Sequence, residues 1–458
     1  MLSPVTIHVA QRYAVSMKDL DDDTRTFFFK TWGCARKVYN LYVDLYYQAL
    51  EKAGYKGGHD IPKVNIPTEK TFKKQYPYMN EADSLALMNA RLHFQDAVKR
   101  YREEHDHVSY TKRAIRRDSS KTEPLSFRGL KGMPKFHSKA NGDFSYTTNC
   151  QYKTGKAGNV TATIRFSGEM LHLPKLPKDI RLCVDRPLPK DAVIRNATVS
   201  MDTDGRIFVS INYERTITMD MRIREAAIND DASILDELSF LGLDYSQHDF
   251  YADSEGRKAN YPHYYRESEG KLQKLQRELS RMKKDSANYK KKQKQIQKLH
   301  VKICNQRKDY LQKESSYLVS RYDVIVVEDI NLRAMGECLN LGKNLHDNGF
   351  GMFRDMLKYK LERKGSFLIK VDRFFPSSQI CHVCGYQNPD TKNLNLREWV
   401  CPECKTHHDR DNNAGKNIEQ EGRRVFLVQV RELIQEESGA QTRAENKKNA
   451  RKRKRKTA

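Results

Sequence analysis

Long apolar runs are missing from this chain. Across its 458 residues, no stretch approaches the 18 consecutive apolar residues that a transmembrane helix needs, so the sequence predicts no membrane span. The first residues, Met1 to Tyr13, also lack a continuous apolar segment, which argues against a secretory signal. Membrane and exported proteins are therefore not the expected classes, and the length predicts roughly three domains of about 150 residues each.

Negative charge is in short supply. Asp and Glu total 59 against 83 Lys and Arg, which leaves a formal net charge of +24. This excess is larger than a generic solvated surface needs, and it predicts a polyanionic partner, most simply a nucleic acid. A ribosome-associated or merely basic protein is the alternative.

Cysteine is sparse, and its placement is uneven. Four of the nine cysteines form the pairs Cys381-His-Val-Cys384 and Cys401-Pro-Glu-Cys404, with 16 residues between the pairs. Two CxxC knuckles at this separation suit four thiolates around one tetrahedral zinc, and four protein ligands make the zinc structural rather than catalytic. Three nearby histidines would then lie outside the zinc shell, supporting it or facing nucleic acid: His382, His407 and His408.

Changes in residue pattern divide the first half of the chain. Residues 1–20 contain an alternating stretch that predicts a strand, and residues 21–120 place apolar side chains at the three- and four-residue steps of helices. Residues 121–236 indicate short strands separated by Gly, Asp and Pro, which predicts a small barrel or sandwich. If the first strand joins these later strands, the helical block is an insertion.

A third region predicts a mixed α/β sheet. Residues 238–245 and 322–328 are apolar runs that contain or end in acids, as is typical of central strands buried on both faces. Between them, residues 267–321 have the pattern of a helical hairpin with a turn at Asp285-Ser-Ala-Asn. Residues 271–313 contain 15 Lys or Arg against 3 Asp or Glu, so we expect this hairpin to lie along phosphates rather than to be an ordinary solvated face.

The end of the chain is strongly basic. The last 12 residues contain eight Lys or Arg and cannot bury a core, so the sequence predicts a disordered basic tail over residues 437–458. A nuclear signal is one interpretation of such a cluster, but in a protein this basic an RNA-binding tail fits better.

Three acids stand in distinctive settings. Asp244 and Glu328 each end an apolar strand, and Asp411 lies in Asp-Arg-Asp411-Asn-Asn-Ala, where a helix could begin. Hydrolysis of a phosphodiester with two metal ions needs several carboxylates around hard cations about 4 Å apart. Each acid alone is weak evidence, because an Asp at a strand end is usually a cap. Their order along the chain, with the zinc knuckles before the last acid, is the stronger sign.

These collinear motifs resemble the TnpB family of transposon-encoded nucleases and the related compact type V CRISPR effectors. The likeness extends over about residues 25 to 420 and includes Gly242-Leu-Asp244, Val326-Val-Glu328-Asp-Ile, the two knuckles and Arg410-Asp411-Asn-Asn-Ala. The chain departs from the family pattern in three places. Tyr245 and Ser246 follow Asp244 where many relatives have a glycine soon after the Asp, Lys405 follows the second knuckle where Gly is common, and Gly415 replaces a second Ala.

The resemblance implies a multidomain α+β architecture, and its parts map onto the regions above. They are a small wedge β-barrel (1–20 and 121–236) with an inserted helical recognition lobe (21–120), and an RNase H-like (RuvC) mixed α/β nuclease domain (237–375 and 407–436) with an inserted four-cysteine zinc module (376–406).

The resemblance also implies an RNA-guided DNA endonuclease. A guide RNA would pair with one strand of target double-stranded DNA, and the protein would read only a short flanking motif. Asp244, Glu328 and Asp411 would be the catalytic triad that binds magnesium, in two ions, with Asp409 and Asp329 as rival ligands.

Other implications of the resemblance are less specific. Four residues are candidates for contacts near the flanking motif, or else ordinary members of a helix: Arg36, Lys37, Tyr39 and Asn40. The expected location is the cytoplasm of a prokaryote, with access to the nucleoid and no membrane partner. A non-cleaving RNA-guided repressor and a strand-transfer transposase are the alternative functions, and monomer and dimer both remain open.

Overall fold

The computed structural model describes two compact units. It covers residues 4–104, 107–112, 114–115, 126–139, 142, 144–154, 160–218, 220–246, 249–330, 347, 349–393 and 395–456. One unit is His8–Arg215, and the other combines Met1–Ile7 with Thr216–Ala458.

The unit His8–Arg215 is built on a seven-stranded sheet with the strand order β2-β8-β9-β1-β7-β6-β5. The strands in chain order are β1 Pro4–Val15, β2 Ser145–Asn149, β3 Tyr152–Thr154, β4 Val160–Ala162, β5 Arg165–Ser167, β6 Met170–His172, β7 Ile180–Cys183, β8 Val193–Met201 and β9 Ile207–Thr218, of which β3 and β4 form a separate hairpin. Strand β1 lies between β9 and β7, which confirms that the first strand joins the later ones. Closure of this sheet into a barrel stays a prediction.

The helices inserted between β1 and β2 pack on this sheet. They are α1 Asp22–Lys52, α2 Glu69–Gln75 and α3 Ser84–Glu103, with short 3-10 turns at Pro77–Asn80 and Phe127–Gly129. Asp21 caps α1, because its side chain accepts a hydrogen bond from the Thr24 amide at 2.7 Å. Trp32 is buried and donates its indole N–H to the Val199 carbonyl at 3.1 Å. The predicted helical insertion is therefore anchored to the sheet.

The second unit contains a four-stranded sheet with the order β11-β10-β12-β13. Its strands are β10 Phe240–Ser246, β11 Phe250–Asp253, β12 Val324–Glu328 and β13 Phe367–Val371. Strand β10 is antiparallel to β11 and parallel to β12, and β12 is parallel to β13. The two apolar runs that the sequence predicts as neighbours do pair.

Helices surround this sheet. They are α4 Met221–Asn229, α5 Ile234–Glu237, α6 Tyr264–Ser280, α7 Ala287–Arg321, α8 Phe350–Lys364 and α9 Arg410–Lys456. The predicted helical hairpin is confirmed as α6 and α7. Asp285 takes the left-handed conformation in its turn, with φ 63°, and the Ser286 hydroxyl caps α7 by accepting from the Tyr289 amide at 3.1 Å.

Helix α9 extends further than the sequence indicates. The structure describes helical backbone as far as Lys456, and the disorder predicted for residues 437–458 stays a prediction. The segment cannot bury a core, but it is rich in Ala, Glu, Gln, Lys and Arg, which have high helix propensity.

The cysteine knuckles lie in a small module of their own. Strands β14 Glu398–Val400 and β15 His407–Asp409 form an antiparallel pair, and a 3-10 turn spans Pro389–Lys392.

Of the helices that the structure describes, none is both long enough and apolar enough to cross a membrane.

Candidate active site

The parallel pairing of β10 and β12 brings two acids to one edge of the sheet. Leu243 lies opposite Val327, so the next residues along each strand, Asp244 and Glu328, lie side by side on neighbouring strands. The strand interiors are buried apolar residues, whereas both acids are only half-buried. The same edge therefore presents two carboxylates on a rigid support.

Helix α9 delivers the third acid. Asp411 lies in its first turn, and the helix contacts the sheet at glycines that leave no room for a methyl group. A methyl group added at Gly242 would lie 2.1 Å from the Gly415 carbonyl oxygen, and one added at Gly422 would lie 2.4 Å from a Val326 methyl carbon. The departure at Gly415 thus has a physical reason, since an alanine there would meet the Asp253 carbonyl carbon at 2.9 Å.

Electrostatics shows that the three carboxylates converge. Burial raises the pKa of Asp244 well above its ordinary value, and the negative charges of Glu328 and Asp411 raise it further, against smaller opposing effects of Arg410 and Arg397. Burial also raises the pKa of Glu328, while a hydrogen bond from Ser377 opposes that rise. The structure therefore brings together the three acids that the sequence singles out.

The two rival acids are engaged elsewhere. Asp409 precedes helix α9 and caps it, because its Oδ1 accepts a hydrogen bond from the Asn412 amide at 2.9 Å. Asp329 forms ion pairs with Lys370 at 3.1 Å and Arg373 at 3.5 Å. The hydrogen bond from Lys370 is the main cause that holds the pKa of Asp329 below its usual range.

Two cations at the site are absent from the sequence-based prediction. The Arg397 Nη1 lies 3.4 Å from both carboxylate oxygens of Asp411. The Lys258 Nζ lies 3.9 Å from Asp411, 3.7 Å from Asp409 and 3.8 Å from Asp249. Neither cation belongs to a periodic pattern. The one signal in the sequence is that Arg397 falls inside the zinc module, four residues before a knuckle.

The donor set suits a hard cation. Carboxylate oxygens are the ligands that Mg²⁺ prefers, and burial together with the charges of Glu328 and Asp411 raises the pKa of Asp244. Within the described residues, the three carboxylates do not form a set whose ligand atoms all lie within 4.8 Å of one another. A divalent cation would have to draw them closer together.

The four cysteines meet the geometric requirement for a metal site. The Sγ atoms of Cys381, Cys384, Cys401 and Cys404 all lie within 4.8 Å of one another, which confirms a cluster that could hold zinc. The second knuckle turns through Lys405 at φ 59°, so a lysine adopts the left-handed conformation that usually favours Gly.

The neighbouring histidines support the module. His408 is buried, and its Nε2 lies 3.1 Å from the Cys381 Sγ. His382 bonds to Asn413 through its amide at 3.1 Å, and His407 lies 3.4 Å from Glu398 on the surface. These contacts agree with positions outside a four-thiol shell.

The four candidates for flanking-motif contacts lie in the other unit. The Tyr39 ring stacks on His137 with centroids 4.0 Å apart, and Asn40 bonds to the His137 carbonyl at 2.9 Å and amide at 2.8 Å. The cationic groups of Arg36 and Lys37 face aromatic rings at 5.8 Å and 5.4 Å. All four side chains make contacts within their own unit, and a role in recognition stays a prediction.

Comparison with known proteins identifies the family. Residues 228–338 match the family model described as "Probable transposase" (OrfB_IS605), and residues 350–418 match "Cas12f1-like, TNB domain". A Streptomyces pristinaespiralis protein named "Putative RNA-guided DNA endonuclease" is 30% identical over 393 residues, which cover 85% of this chain and 84% of that protein. This chain belongs to the TnpB family.

More distant relatives of this TnpB family member also have names that refer to RNA-guided or CRISPR-associated proteins. The protein named "Putative RNA-guided DNA endonuclease InsQ" from Escherichia coli K12 is 27% identical over 51% of this chain and 58% of its own length. The "CRISPR-associated DNA-binding protein Cas12m" of Allomeiothermus silvanus is 27% identical over 26% of this chain and 24% of its own length. A solved Cas12f1-sgRNA-target DNA complex aligns with 90% of this chain and 99% of that chain at 14% identity, but its TM-score of 0.30 is too low to establish a shared fold.

Proposed function

We propose that this TnpB family member is an RNA-guided DNA endonuclease with a RuvC-type site formed by Asp244, Glu328 and Asp411. The observation that carries the proposal is the convergence of these three carboxylates from two parallel strands and one helix start. The strand order β11-β10-β12-β13, with β11 antiparallel and the others parallel, supports an RNase H-like nuclease domain.

The chemistry assigned to the site is hydrolysis of a DNA phosphodiester. Magnesium, when bound by these carboxylates, would supply an activated water and neutralise charge on the leaving oxygen. The protein orients the acids, since the sheet fixes Asp244 and Glu328 and the capped helix fixes Asp411. Arg397 and Lys258 add positive charge beside Asp411, where a scissile phosphate would need it.

The nucleic-acid partners are inferred from the net charge of the chain and from the names of its relatives. A net charge of +24 suits a guide RNA and a target double-stranded DNA, and the relatives' names specify guidance by RNA. The helical hairpin would lie along nucleic-acid phosphates, and a structural zinc would hold the four thiols. A prokaryotic cytoplasmic location stays a prediction, and monomer and dimer both stay open.

A second candidate is an RNA-guided DNA-binding repressor. The relative named as a DNA-binding protein favours it, but that likeness covers only 26% of this chain. All three acids are present here, which favours cleavage. The transposase alternative rests on the use of acidic residues on a related sheet and on the name of one family model, whereas the basic hairpin and the cysteine module favour the guided nuclease.

The test begins with the RNA that copurifies with the protein. This RNA is sequenced, and a guide of that sequence is combined with matching double-stranded DNA and Mg²⁺. We expect cutting by the natural protein and a loss of more than about 100-fold in rate for Asp244→Ala and Asp411→Asn, with guided binding retained.

A matched control distinguishes the role of Asp411 from that of Asp409 in the same Asp-Arg-Asp motif. Asp409→Asn should cut within about twofold of the natural protein, because Asn caps a helix as well as Asp does. Loss of cutting by Asp409→Asn with retention by Asp411→Asn would reverse the assignment. A natural protein that binds guided DNA without cutting it would support the repressor instead.

A further inference from the structure

A buried hydroxyl holds one of the three acids. The Ser377 hydroxyl donates a hydrogen bond to the Glu328 Oε1 at 2.6 Å, across 49 positions of the chain. Ser377 is 6% exposed and lies just ahead of the first cysteine knuckle. A carboxylate on a flexible glutamate side chain is thereby fixed from outside its own strand.

Helix α9 in turn holds the segment that carries Ser377. The buried Asn417 donates from its side-chain amide to the Ser377 carbonyl at 2.7 Å and to the Ile380 carbonyl at 2.6 Å. Asn413, also buried, donates to the same Ile380 carbonyl at 2.7 Å. Asn413 and Asn417 are four residues apart and share one face of the helix.

The same helix carries Asp411, two residues before Asn413 and therefore on another side. One face of α9 thus secures the segment leading into the zinc module, and another presents an acid of the candidate site. Through Ser377, the secured segment reaches back to Glu328. Glu328 on β12 and Asp411 on α9 are therefore both positioned by the start of helix α9.

We infer that Ser377 is a positioning residue for metal binding, which orients Glu328 and links the cysteine module to the carboxylate cluster. This inference deepens the proposed nuclease function and rests on it for its role in cutting. A partner that orients a ligating carboxylate commonly changes metal affinity or activity by 10- to 100-fold when it is removed. The knuckle segment is then part of the catalytic framework.

The experiment compares three variants of the full protein with its guide RNA bound. Ser377→Ala should cut target DNA about 10- to 100-fold more slowly and need a higher Mg²⁺ concentration for half-maximal rate, with guided DNA binding unchanged. Ser377→Thr keeps the hydroxyl and should restore most of the rate. Thr391→Val is the matched control, because the buried Thr391 hydroxyl donates to the Asn388 carbonyl of the same module at 2.8 Å.

A second measurement does not depend on cutting. Mn²⁺ binding to the protein without nucleic acid, followed by electron paramagnetic resonance, should weaken at least tenfold in Ser377→Ala and be unchanged in Thr391→Val. Equal Mn²⁺ affinity in Ser377→Ala and the natural protein would overturn the inference. So would parallel loss of bound zinc and guided DNA binding, since Ser377 would then act on folding alone. If the natural protein binds Mn²⁺ but never cuts, the proposed function fails while the Mn²⁺ comparison still decides this inference.

Discussion

Asp244 is an acid whose ionisation the folded chain opposes. Its pKa is raised by burial and by the charges of Glu328 and Asp411, so the folded state favours the protonated carboxyl. The unfolded chain ionises at the ordinary, lower pKa. Folding stability contributed by this group is therefore greatest at low pH and falls as pH rises above the ordinary range toward the folded pKa. A bound cation would reverse that loss.

The prediction at this scale concerns the protein without magnesium. Asp244→Asn should raise the melting temperature by at least about 2 °C near neutral pH, because it removes a charge that the site disfavours. The gain should grow as pH rises above the ordinary pKa range of an aspartate, in thermal scans made without chelator, because a chelator would strip zinc. Added Mg²⁺ should stabilise the natural protein more than the variant. A variant less stable at every pH would contradict this account.

Single residues differ in how far the sequence reveals them. Asp244, Glu328 and Asp411 are predictable because each follows a recognisable pattern, an apolar run or a helix start. Ser377 and Arg397 are not, because their contacts join parts of the chain 49 and 14 positions apart. The choice between Asp409 and Asp411 also needs the helix cap, which spacing alone does not show.

At the scale of elements, the hairpin of α6 and α7 has two unlike faces. Tyr289 and Ile296 are half-buried and Ile303 is buried, as their seven-residue spacing predicts. Exposed lysines follow the opposite side of α7 at four-residue steps of about 6 Å each: Lys290, Lys294, Lys298 and Lys302. None of these four forms an ion pair with a carboxylate in the described part of the chain. This face suits a phosphate backbone.

The salt dependence of guide-RNA binding tests that face. Replacing Lys290 and Lys294 with Gln should reduce the slope of log K against log salt by about 1.4 to 1.8, because each lysine releases about one counterion. The control replaces Lys313 and Lys358, which are exposed but paired with Asp309 and Glu362, and should change the slope little. Equal changes of the slope in both double variants would mean that overall charge, and not this face, binds the RNA.

Strands and helices are predicted correctly where the residue pattern of the sequence agrees with the packing in the structure. The paired strands and the hairpin turn follow from apolar runs and a capping Ser, which local physics fixes. The end of the chain has no core to bury, yet its backbone is helical to Lys456, because its residues have high intrinsic helix propensity.

At the scale of the whole molecule, two units have separate hydrophobic cores. The core of His8–Arg215 is continuous from its helices to its sheet, and the four-stranded sheet has apolar clusters on its own faces. The cysteine module has only a small cluster around Trp399. Because the apolar contacts are so few, we expect the stability of the module to depend on a bound metal.

Removing zinc should therefore act locally. Cys401→Ser should increase amide hydrogen exchange over residues 377–409 and the first turns of α9, abolish cutting, and leave exchange in His8–Arg215 unchanged. Cys304→Ser, at an exposed cysteine outside the cluster, should change none of these. Loss of protection throughout the chain would show that the module supports both units.

Gly242 and Gly415 meet with no room for a methyl group between strand and helix. The distance between the backbones of strand β10 and helix α9 is therefore limited by main-chain atoms. A β-carbon at Gly242 would force strand and helix apart, although no carboxylate, thiol or basic residue of the chain would be changed. A substitution at this contact could therefore convert a guided nuclease into a guided DNA-binding protein without altering any reactive group.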